Sequence, residues 1–507
     1  MTLVQEARKT SSAATYSELD KKRWLVRYLI LGGVGTVLAI KLYMLLFVVD
    51  LTVGIYSFFT SFILFNILLF SYTKFKDPYI DAQDMFLSND NDNNNKPLVS
   101  VIIPVKNEEG NIRNCVQSCI NSTYSKKEII IVDDGSTDNT GQILDKMERQ
   151  EPCLHVIHLS KSVGKKQAIE AGSVVAKGEI YVFMDSDCDM HMDAIDKAIK
   201  IFQYDKKIGA ITGHGRVRGA MTGNILLKMQ DLYVDASCRI LKGMETSFSS
   251  VTCCAGALSF FRRQAVMPYI HTWAHDNFLG IKDFKFATDR RLTAYILGTK
   301  PSCVLENNSG KSNDNDNDII RHSITNNTPV LIQAKKDSLD ITATTTSSHP
   351  YVENNNNKNP RYAWRIVYSP SVKVNVGVPE TFSALIRQQI RWRKSFIRSL
   401  FATGGIYWRR PFYAALLYYL QVSLKFLRPF IILKALLFLP LVGDYTTTLL
   451  YFSGVFFTGM IYGVDFRLRN PGSSLWLYRP LFTLVTTFVY SWLIFYAAIT
   501  IKKTAWR

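Results

Sequence analysis

Ile180-Tyr181-Val182-Phe183-Met184-Asp185-Ser186-Asp187 is the stretch from which the fold class follows most directly. Its first five residues are apolar and include β-branched and aromatic types, so they predict a buried strand. Asp185 and Asp187 then lie at the carboxyl end of that strand. Ligands of open α/β sheets bind beyond the carboxyl ends of the strands, so a candidate site is expected here.

The residues before this stretch alternate between strand and helix patterns. In chain order the prediction is strand 98–104, helix 111–121, strand 128–132, helix 140–150, strand 155–159 and helix 164–175. This alternation is typical of a mainly parallel sheet with right-handed crossover connections. A second acidic turn, Asp133-Asp134-Gly135-Ser136, follows the second of these strands. The sequence therefore predicts an α/β domain with two acidic turns at one edge of its sheet.

Apolar residues make up 47% of the chain and concentrate at its two ends. Two N-terminal runs, 28–49 and 52–71, each approach the roughly 20 residues that a bilayer core requires. Basic residues on both sides of this pair predict a hairpin whose two ends lie in the cytosol. The C-terminal runs are 412–424, 427–443, 446–464 and 480–501. The last three are predicted to span the membrane, and the first is predicted either to span it or to lie at its surface. The basic C-terminus favours four spans.

The net charge of +18 has two compatible interpretations. Basic residues flank membrane helices and attract anionic lipids, and they also suit a site for a diphosphate. A nucleic-acid partner is not expected, because the chain has no nucleic-acid-binding motif.

The eight cysteines lack zinc-site spacing and are interpreted as reduced thiols. No cleavable signal peptide is apparent.

These patterns predict a catalytic domain inserted between two groups of transmembrane helices. An asparagine-rich, disordered insert is expected to interrupt that domain near its end. The predicted segments are an N-terminal cytosolic segment 1–27, a transmembrane hairpin 28–71, a linker 72–97, the catalytic domain 98–304, the insert 305–359, the end of the domain with an interfacial helix 360–410, transmembrane helices 411–501 and a basic tail 502–507.

Carboxylates and one lysine are the first candidate site residues. Asp185 and Asp187 offer the hard oxygen ligands that suit Mg²⁺ or Mn²⁺, although a solvated acidic loop has the same pattern. Asp134 can accept a hydrogen bond from a base N–H group, or it can simply cap a turn. Lys165 opens a predicted helix and can reach a phosphate there, and the alternative is an ordinary surface lysine.

A second group of candidates lies further along the chain. Asp289, in Thr288-Asp289-Arg290-Arg291, can take a proton from an attacking hydroxyl group, or it can belong to a structural salt bridge. Gln388, Arg391 and Trp392 have spacings that place them on one side of a helix. Arg391 can neutralise a departing diphosphate and Trp392 can stack on a sugar ring, whereas the alternative is an ordinary basic amphipathic helix.

Together these motifs resemble the processive family-two glycosyltransferases, which include hyaluronan, chitin and cellulose synthases and the nodulation chito-oligosaccharide synthases. The resemblance implies a glycosyltransferase-A type nucleotide-sugar domain with an inverting mechanism. It also implies that Asp134 contacts uracil, that Asp187 holds Mn²⁺ or Mg²⁺, and that Asp289 is the general base. The same resemblance assigns Gln388, Arg391 and Trp392 to the acceptor and diphosphate site.

The finer details are most similar to hyaluronan synthases. Gly164–Ala168 is similar to their Gly-Lys-Arg segment, and Val251–Leu258, which contains Cys254, is similar to their acceptor-pocket strand. Gln388–Ser395 is very close to the hyaluronan-type motif. Three features depart from that pattern: Ala287-Thr288 precedes Asp289 where Gly-Asp is usual, the chain ends in Thr-Ala-Trp-Arg, and the asparagine-rich insert has no counterpart.

The resemblance implies a plasma-membrane enzyme with a cytosolic catalytic domain. Its expected partners are UDP-GlcNAc and UDP-GlcA as donors, the growing β-linked polysaccharide that it translocates, and membrane lipids. A chitin-type or other single-sugar synthase is the alternative, followed by a ceramide-type lipid glycosyltransferase. A catalytically inactive transporter or scaffold is a further alternative, but the intact acidic positions speak against it.

Overall fold

A computed structural model describes residues 2–88, 96–298 and 364–503. The predicted asparagine-rich insert lies outside the described residues, as does most of the polar part of the predicted linker. The chain divides into two compact units. The helical unit comprises Met1–Ile80, His214–Val251 and Tyr368–Arg507, and the sheet unit comprises Asp81–Gly213 and Thr252–Val367.

Eight strands of the described residues form one mixed sheet in the order β3-β2-β1-β4-β7-β6-β8-β5. The strands are β1 (Val99–Val105), β2 (Lys127–Asp133), β3 (Leu154–His158), β4 (Ile180–Phe183), β5 (Cys188–Met190), β6 (Ile208–Val217), β7 (Ser259–Arg262) and β8 (Arg365–Val376). The first four strands in this order are mutually parallel, and β7 is antiparallel to both β4 and β6. The predicted fold class, an α/β domain with a mainly parallel sheet, is confirmed.

Seventeen α-helices are present in the described residues. They are α1 (Thr2–Phe47), α2 (Leu51–Thr73), α3 (Pro78–Ser88), α4 (Ile112–Ile120), α5 (Thr140–Glu148), α6 (Lys165–Val175), α7 (Ala194–Tyr204), α8 (Ile225–Ala236), α9 (Gly243–Ser247), α10 (Arg263–Ala274), α11 (Thr288–Gly298), α12 (Phe382–Tyr407), α13 (Phe412–Leu433), α14 (Leu439–Leu441), α15 (Tyr445–Arg469), α16 (Arg479–Phe488) and α17 (Leu493–Ile499). Two π-helical segments, Ser237–Lys242 and Lys434–Phe438, and a 3₁₀ turn, Leu475–Tyr478, continue some of them.

Helix α6 packs closely on the central strands because its residue 172 is a glycine. A Cβ atom added at Gly172 would lie 2.7 Å from the Ile102 side chain and 3.0 Å from the Val132 side chain. Ile102 in β1 and Val132 in β2 are themselves fully buried. This close approach fixes the position of α6 on the sheet, and with it the position of Lys165 at the start of the helix.

Gly178 allows a second close approach, at the turn that leads into β4. Its N–H group donates to the Ser100 hydroxyl at 2.8 Å, and an added Cβ would lie 2.4 Å from that oxygen and 2.9 Å from the Leu98 carbonyl oxygen. We expect Gly178→Ala to destabilise the fold by about 1–3 kcal/mol, because backbone must shift to relieve the overlap. The melting temperature of purified protein should fall, whereas Gly110→Ala, which meets nothing within 4 Å, should leave it unchanged.

The helical unit has an apolar core that is built from its N-terminal and C-terminal helices together. Leu68 of α2, Leu417 of α13 and Tyr451 of α15 are buried in one cluster with Ile240 and Met244. Sequence-distant segments therefore share one core in this unit. Burial of this extent is what holds helices together once their backbone hydrogen bonds are satisfied internally.

Polar groups also connect distant segments of the helical unit. The Tyr72 hydroxyl donates to Asp465 at 2.6 Å, and Arg469 donates to Asp235 at 2.7 Å. The His214 ring contacts Asp235 at 3.4 Å. Burial would raise the pKa of Asp235, but the Arg469 charge and the His214 contact outweigh burial and hold that pKa below its ordinary value. The buried carboxylate is thus kept ionised by partners on other segments.

In the part of the chain that the structure describes, three helices are long and apolar enough to cross a membrane, namely Trp24–Phe47, Leu51–Met85 and Tyr445–Arg469. The pair Leu475–Phe488 and Leu493–Ile499, bent by 41°, raises the number to four if it forms one span. The N-terminal hairpin prediction agrees with the first two. These helices are those of an integral membrane protein.

The predicted count of three or four C-terminal spans is wrong for the described residues. Only one C-terminal helix, or two with the bent pair, meets the length and composition of a span. The runs predicted at 412–424 and 427–443 are not separate, because α13 contains the first and the start of the second and leads directly into the π-helical segment. Lys425 and Arg428 lie inside α13 and interrupt its apolar surface.

Candidate active site

The centre of the site is an ion pair between the start of α6 and the residues that follow β4. Lys165 is the first residue of α6, and its ammonium group pairs with Asp185 Oδ1. Gly164, which precedes it, has φ of +100°, a conformation that glycine adopts without strain. The adjacent Lys166 is buried and donates to the Phe284 carbonyl oxygen at 2.8 Å. Of the two lysines, Lys165 is therefore the one available to a ligand.

Asp134 holds the loop in front of Lys165. Its carboxylate accepts hydrogen bonds from the N–H groups of Val163 and Gly164, at 2.6 Å and 3.0 Å, and from the Ser162 hydroxyl at 2.8 Å. Asp134 is buried. The first acidic turn therefore fixes the loop that leads into α6 and Lys165. The three donors occupy most of the acceptor capacity of the Asp134 carboxylate.

Two hydrogen bonds join the 254–256 segment to the start of α11. The Gly256 N–H group donates to Asp289 Oδ2 at 2.9 Å, and the Cys254 N–H group donates to the Thr293 hydroxyl at 2.9 Å. The Thr288 hydroxyl donates to Asp289 Oδ1 at 2.9 Å. Both carboxylate oxygens of Asp289 thus accept a hydrogen bond, which fixes the side chain in one orientation.

These residues line a cleft of about 310 Å³ that is partly open to solvent. Trp273 forms an apolar wall, and its indole N–H group donates to the Thr288 carbonyl oxygen at 2.8 Å. The charged residues of the lining are Lys165, Asp185 and Asp289. One cation and two carboxylates leave this lining net negative, so a substrate with anionic groups would need a bound divalent cation here.

The charges of the site perturb the titration of two of its members. Burial would lower the pKa of Lys165, but the charges of Asp185 and Asp289 outweigh burial and hold it above its ordinary value. Burial and the neighbouring Asp185 charge raise the pKa of Asp187 to about 6. Lys165 is therefore a permanent cation. The adjacent carboxylates at 185 and 187 repel each other, and a divalent cation held between them would relieve that repulsion.

Within the sheet unit, the structure brings four of the predicted site residues to one cleft: Lys165, Asp185, Cys254 and Asp289. Asp134 and Asp187 are not part of the cleft lining in the described residues. Asp134 acts through the loop before Lys165, and Asp187 lies two residues after Asp185. The prediction that these acidic turns meet at the carboxyl ends of parallel strands agrees with the register of β1, β2 and β4.

Gln388, Arg391 and Trp392 belong to the helical unit and lie on α12. Trp392 is 41% exposed, and Gln388 and Arg391 are half-buried. Gln389, between them, is buried, and its Oε1 atom has no hydrogen-bond partner in the described part of the chain. The predicted helical arrangement of the three residues is present, with the indole ring available on the surface of its unit.

Sequence reasoning missed several residues that shape the cleft. Thr293 and Thr288 orient the segment around Asp289, and Trp273 walls the cleft. No local sequence pattern identifies these three residues as part of a site. The one available signal is that hydroxyl residues stand on both sides of Asp289, at Thr288 and Thr293. The comparison of Val251–Leu258 with a strand is wrong, because this segment is a loop and β7 begins only at Ser259.

Gly256 leaves room for the ion pair at the centre of the site. A Cβ atom there would lie 2.9 Å from Lys165 Nζ and 3.0 Å from both Asp185 carboxylate oxygens. We expect Gly256→Ala to reduce catalytic activity, but by less than the roughly 100-fold that a 1 Å misplacement can cost, because the flexible ends of Lys165 and Asp185 can shift to admit the methyl group. Initial rates and melting temperatures of detergent-solubilised protein check this. An unchanged rate would show that the ion pair does not need this space, and Gly110→Ala is the matched control.

The comparisons with known proteins agree with this geometry. Residues 100–269 match the model of the family "Glycosyl transferase family 2". This stretch is a family 2 glycosyltransferase domain, and it includes most of the sheet unit together with residues 214–251 of the helical unit. The predicted family and enzyme class are confirmed, and the chain is a glycosyltransferase related to hyaluronan synthases. The matched residues begin in β1 and end within α10, so they include Lys165, Asp185 and Cys254.

Among curated proteins, this glycosyltransferase is similar to the hyaluronan synthase of Streptococcus pyogenes serotype M3. The two are 23% identical over 461 residues, which is 89% of this chain and 92% of that protein. It is also similar to the poly-beta-1,6-N-acetyl-D-glucosamine synthase of Staphylococcus aureus, at 29% identity over 169 residues, or 33% of this chain and 40% of that protein.

Among solved structures, the mannosyltransferase PcManGT from Pyrobaculum calidifontis, in complex with GDP-Man and Mn²⁺, aligns with a TM-score of 0.49. It is 17% identical and the alignment covers 89% of this chain and 98% of that chain.

Proposed function

We propose that the chain is a processive, inverting glycosyltransferase that polymerises UDP-sugars into a β-linked polysaccharide and translocates the product, and that the product is hyaluronan. The observation that carries this proposal is the similarity to a hyaluronan synthase over nearly the full length of both chains. That similarity extends beyond the transferase domain into the membrane helices. A relative that shared only the transferase domain would not match there. UDP-GlcNAc and UDP-GlcA are the proposed donors.

In the proposed mechanism Asp289 removes the proton from the acceptor hydroxyl as that oxygen attacks the anomeric carbon. The Gly256 N–H group and the Thr288 hydroxyl hold its carboxylate at 2.9 Å each, which fixes its orientation and leaves further lone pairs for the acceptor. Attack from the side opposite the departing diphosphate inverts the anomeric centre. One carboxylate held in place is sufficient for this step.

Asp187, with Asp185 beside it, is the proposed holder of Mn²⁺ or Mg²⁺. The residues fit such an ion, because two adjacent carboxylates supply hard oxygen ligands and burial makes the charged form of Asp187 costly when it stands alone. When bound, the ion would neutralise negative charge on the diphosphate leaving group. Lys165, at the start of α6 and already beside Asp185, would contribute a second positive charge at the same end of the cleft.

The remaining roles follow from position and chemistry. Asp134 is proposed to contact uracil while it orients the loop before Lys165, and Cys254 is proposed to border the acceptor. Arg391 would stabilise the departing diphosphate, Trp392 would stack on an acceptor sugar, and Gln388 would bind an acceptor or diphosphate oxygen. The exposed indole of Trp392 supports a role at an open, ligand-facing surface.

A single-sugar β-glycan synthase is the second candidate function. The similarity of 169 residues to a poly-beta-1,6-N-acetyl-D-glucosamine synthase favours it, because that enzyme's name specifies one repeating sugar. The shorter coverage, 33% of this chain, makes it the weaker candidate. The transferase chemistry proposed above would be the same for both products.

The experiment that tests the proposed product measures consumption of nucleotide sugars by purified protein with Mn²⁺ or Mg²⁺. The expected result is a long polymer only when UDP-GlcNAc and UDP-GlcA are both present, and its degradation by a hyaluronan-specific lyase. Polymer formed from UDP-GlcNAc alone would contradict hyaluronan as the product and would indicate a single-sugar glycan. Product extractable into organic solvent would instead indicate a lipid acceptor.

We further propose that the enzyme resides in the plasma membrane with its sheet unit in the cytosol, where UDP-sugars are made. The basic residues beside the N-terminal hairpin support this orientation. A polar polymer does not cross hydrocarbon unaided, so the membrane helices are proposed to form its path. Protease protection of the sheet unit in sealed, right-side-out vesicles would support the orientation, and cleavage would contradict it.

A further inference from the structure

Two histidines and a glutamate form a cluster in the sheet unit that the transferase mechanism does not use. Glu170 lies on α6, and His271 and His275 lie one helical turn apart on α10 and at its C-terminal cap. One ligand atom from each residue lies within 4.8 Å of the other two. His271 Nδ1 is 2.7 Å from Glu170 Oε1, and His275 Nε2 is 3.3 Å from Glu170 Oε2. The three side chains therefore converge on one small volume.

The chemistry of this cluster differs from that of the aspartates at the catalytic cleft. Two imidazoles and one carboxylate suit Zn²⁺ and similar transition metals, whereas Mg²⁺ and Mn²⁺ prefer sites made of oxygen ligands. Histidines at positions i and i+4 lie on the same face of a helix, which is the spacing that lets both bind one ion. His271 is 67% exposed, so an ion could enter from solvent and keep a water ligand.

A further carboxylate orients one of the two rings. Asp283 Oδ1 lies 3.0 Å from His275 Nδ1, on the side of the ring opposite the Nε2 atom that faces Glu170. A hydrogen bond from Nδ1–H to Asp283 leaves the lone pair on Nε2 free for a metal. Histidine ligands commonly have such a carboxylate partner, because it fixes the tautomer and makes the ring more basic. The Gln167 Nε2 atom lies 3.3 Å from the same Nδ1 atom and is itself a donor, so it competes with Asp283 for Nδ1 and would favour the other tautomer.

We propose that Glu170, His271 and His275 form a Zn²⁺-type metal site, with Asp283 as its orienting partner, which links α6 to α10. The link has a consequence for the cleft, since α6 begins at Lys165 and α10 contains Trp273. A bound ion would hold these two helices at a fixed separation and stabilise the walls of the cleft. The site is separate from the proposed Mn²⁺ or Mg²⁺ position, and it does not depend on which sugar is polymerised.

The test measures Zn²⁺ binding to tag-free, full-length protein in detergent, with excess Mg²⁺ present to occupy the oxygen-rich site. His271→Ala is the main variant, because this exposed side chain can be removed without disturbing the fold. His191→Ala, another exposed histidine in the same unit, is the matched control. Bound Zn²⁺ is quantified by competition with a chromophoric chelator, and melting temperatures are recorded with and without Zn²⁺.

The expected result is that wild type and His191→Ala bind about one more equivalent of Zn²⁺ than His271→Ala and melt at a higher temperature when Zn²⁺ is added. Asp283→Asn should weaken the same site about 10- to 100-fold, as loss of an orienting partner does at other metal sites. Equal Zn²⁺ binding by wild type and His271→Ala would overturn the proposal. So would a Zn²⁺-induced rise in melting temperature that survives in His271→Ala, because the ion would then be acting elsewhere.

Discussion

Asp289→Asn is expected to reduce polymer synthesis by about 10²- to 10⁴-fold, the range over which a positioned general base contributes. The amide oxygen can still accept the Gly256 N–H group, and the Thr288 hydroxyl can rotate to meet the amide nitrogen, so the local structure should persist. What the substitution removes is the ability to take up a proton. Initial rates of sugar incorporation by purified protein measure the effect.

The control for this substitution is Asp145→Asn, which changes an exposed carboxylate of the same unit that lies 3.2 Å from His158 Nε2. It should retain activity within a few-fold. UDP binding, followed by calorimetry, should be similar for Asp289→Asn and wild type, because a general base acts on the acceptor. Retained polymer synthesis by Asp289→Asn would require another base in the cleft.

Removal of the metal site should have an effect of comparable size. We expect a chelator to abolish wild-type synthesis and added Mn²⁺ or Mg²⁺ to restore it. Asp187→Asn should lower activity at least about 100-fold, and excess metal should not restore it, because the proposed ion would lose a carboxylate ligand. The measurement is the rate as a function of metal concentration for both proteins.

Asp193→Asn is the matched control, since this partly exposed residue follows the same acidic segment and pairs with Lys197. Its metal dependence should equal that of wild type. Full activity of wild type after exhaustive chelation would contradict a metal-dependent mechanism. Restoration of Asp187→Asn at high Mn²⁺ would instead show that Asp185 alone can hold the ion.

The sequence predicted the part of the site that depends on sheet topology. Asp185 and Asp134 each follow a parallel strand, and the carboxyl ends of such strands lie at one edge of a sheet, so the strand pattern alone places both acidic turns at that edge. The helix beginning at Lys165 followed from the same alternation. These features depend on local apolar patterns that are clear in the strands at 128–132 and 180–184.

The sequence did not predict the contacts that orient Asp289. The bonds from Gly256 to Asp289 and from Cys254 to Thr293 join residues more than 30 positions apart, and no periodicity marks such pairs. The C-terminal spans were miscounted for a different reason. Short apolar runs on both sides of Lys425 and Arg428 were treated as separate segments, although one helix contains both charges.

The two backbone hydrogen bonds between the 254–256 loop and α11 have a bearing on how such an enzyme can diverge. The Gly256 bond reaches Asp289, the proposed base, and the Cys254 bond reaches Thr293 on the same helix, so a change of loop shape would also move Asp289. A mutation that reshapes this loop is then expected to change acceptor preference and catalytic rate together. An engineer seeking a new sugar polymer from this scaffold would have to vary both segments together.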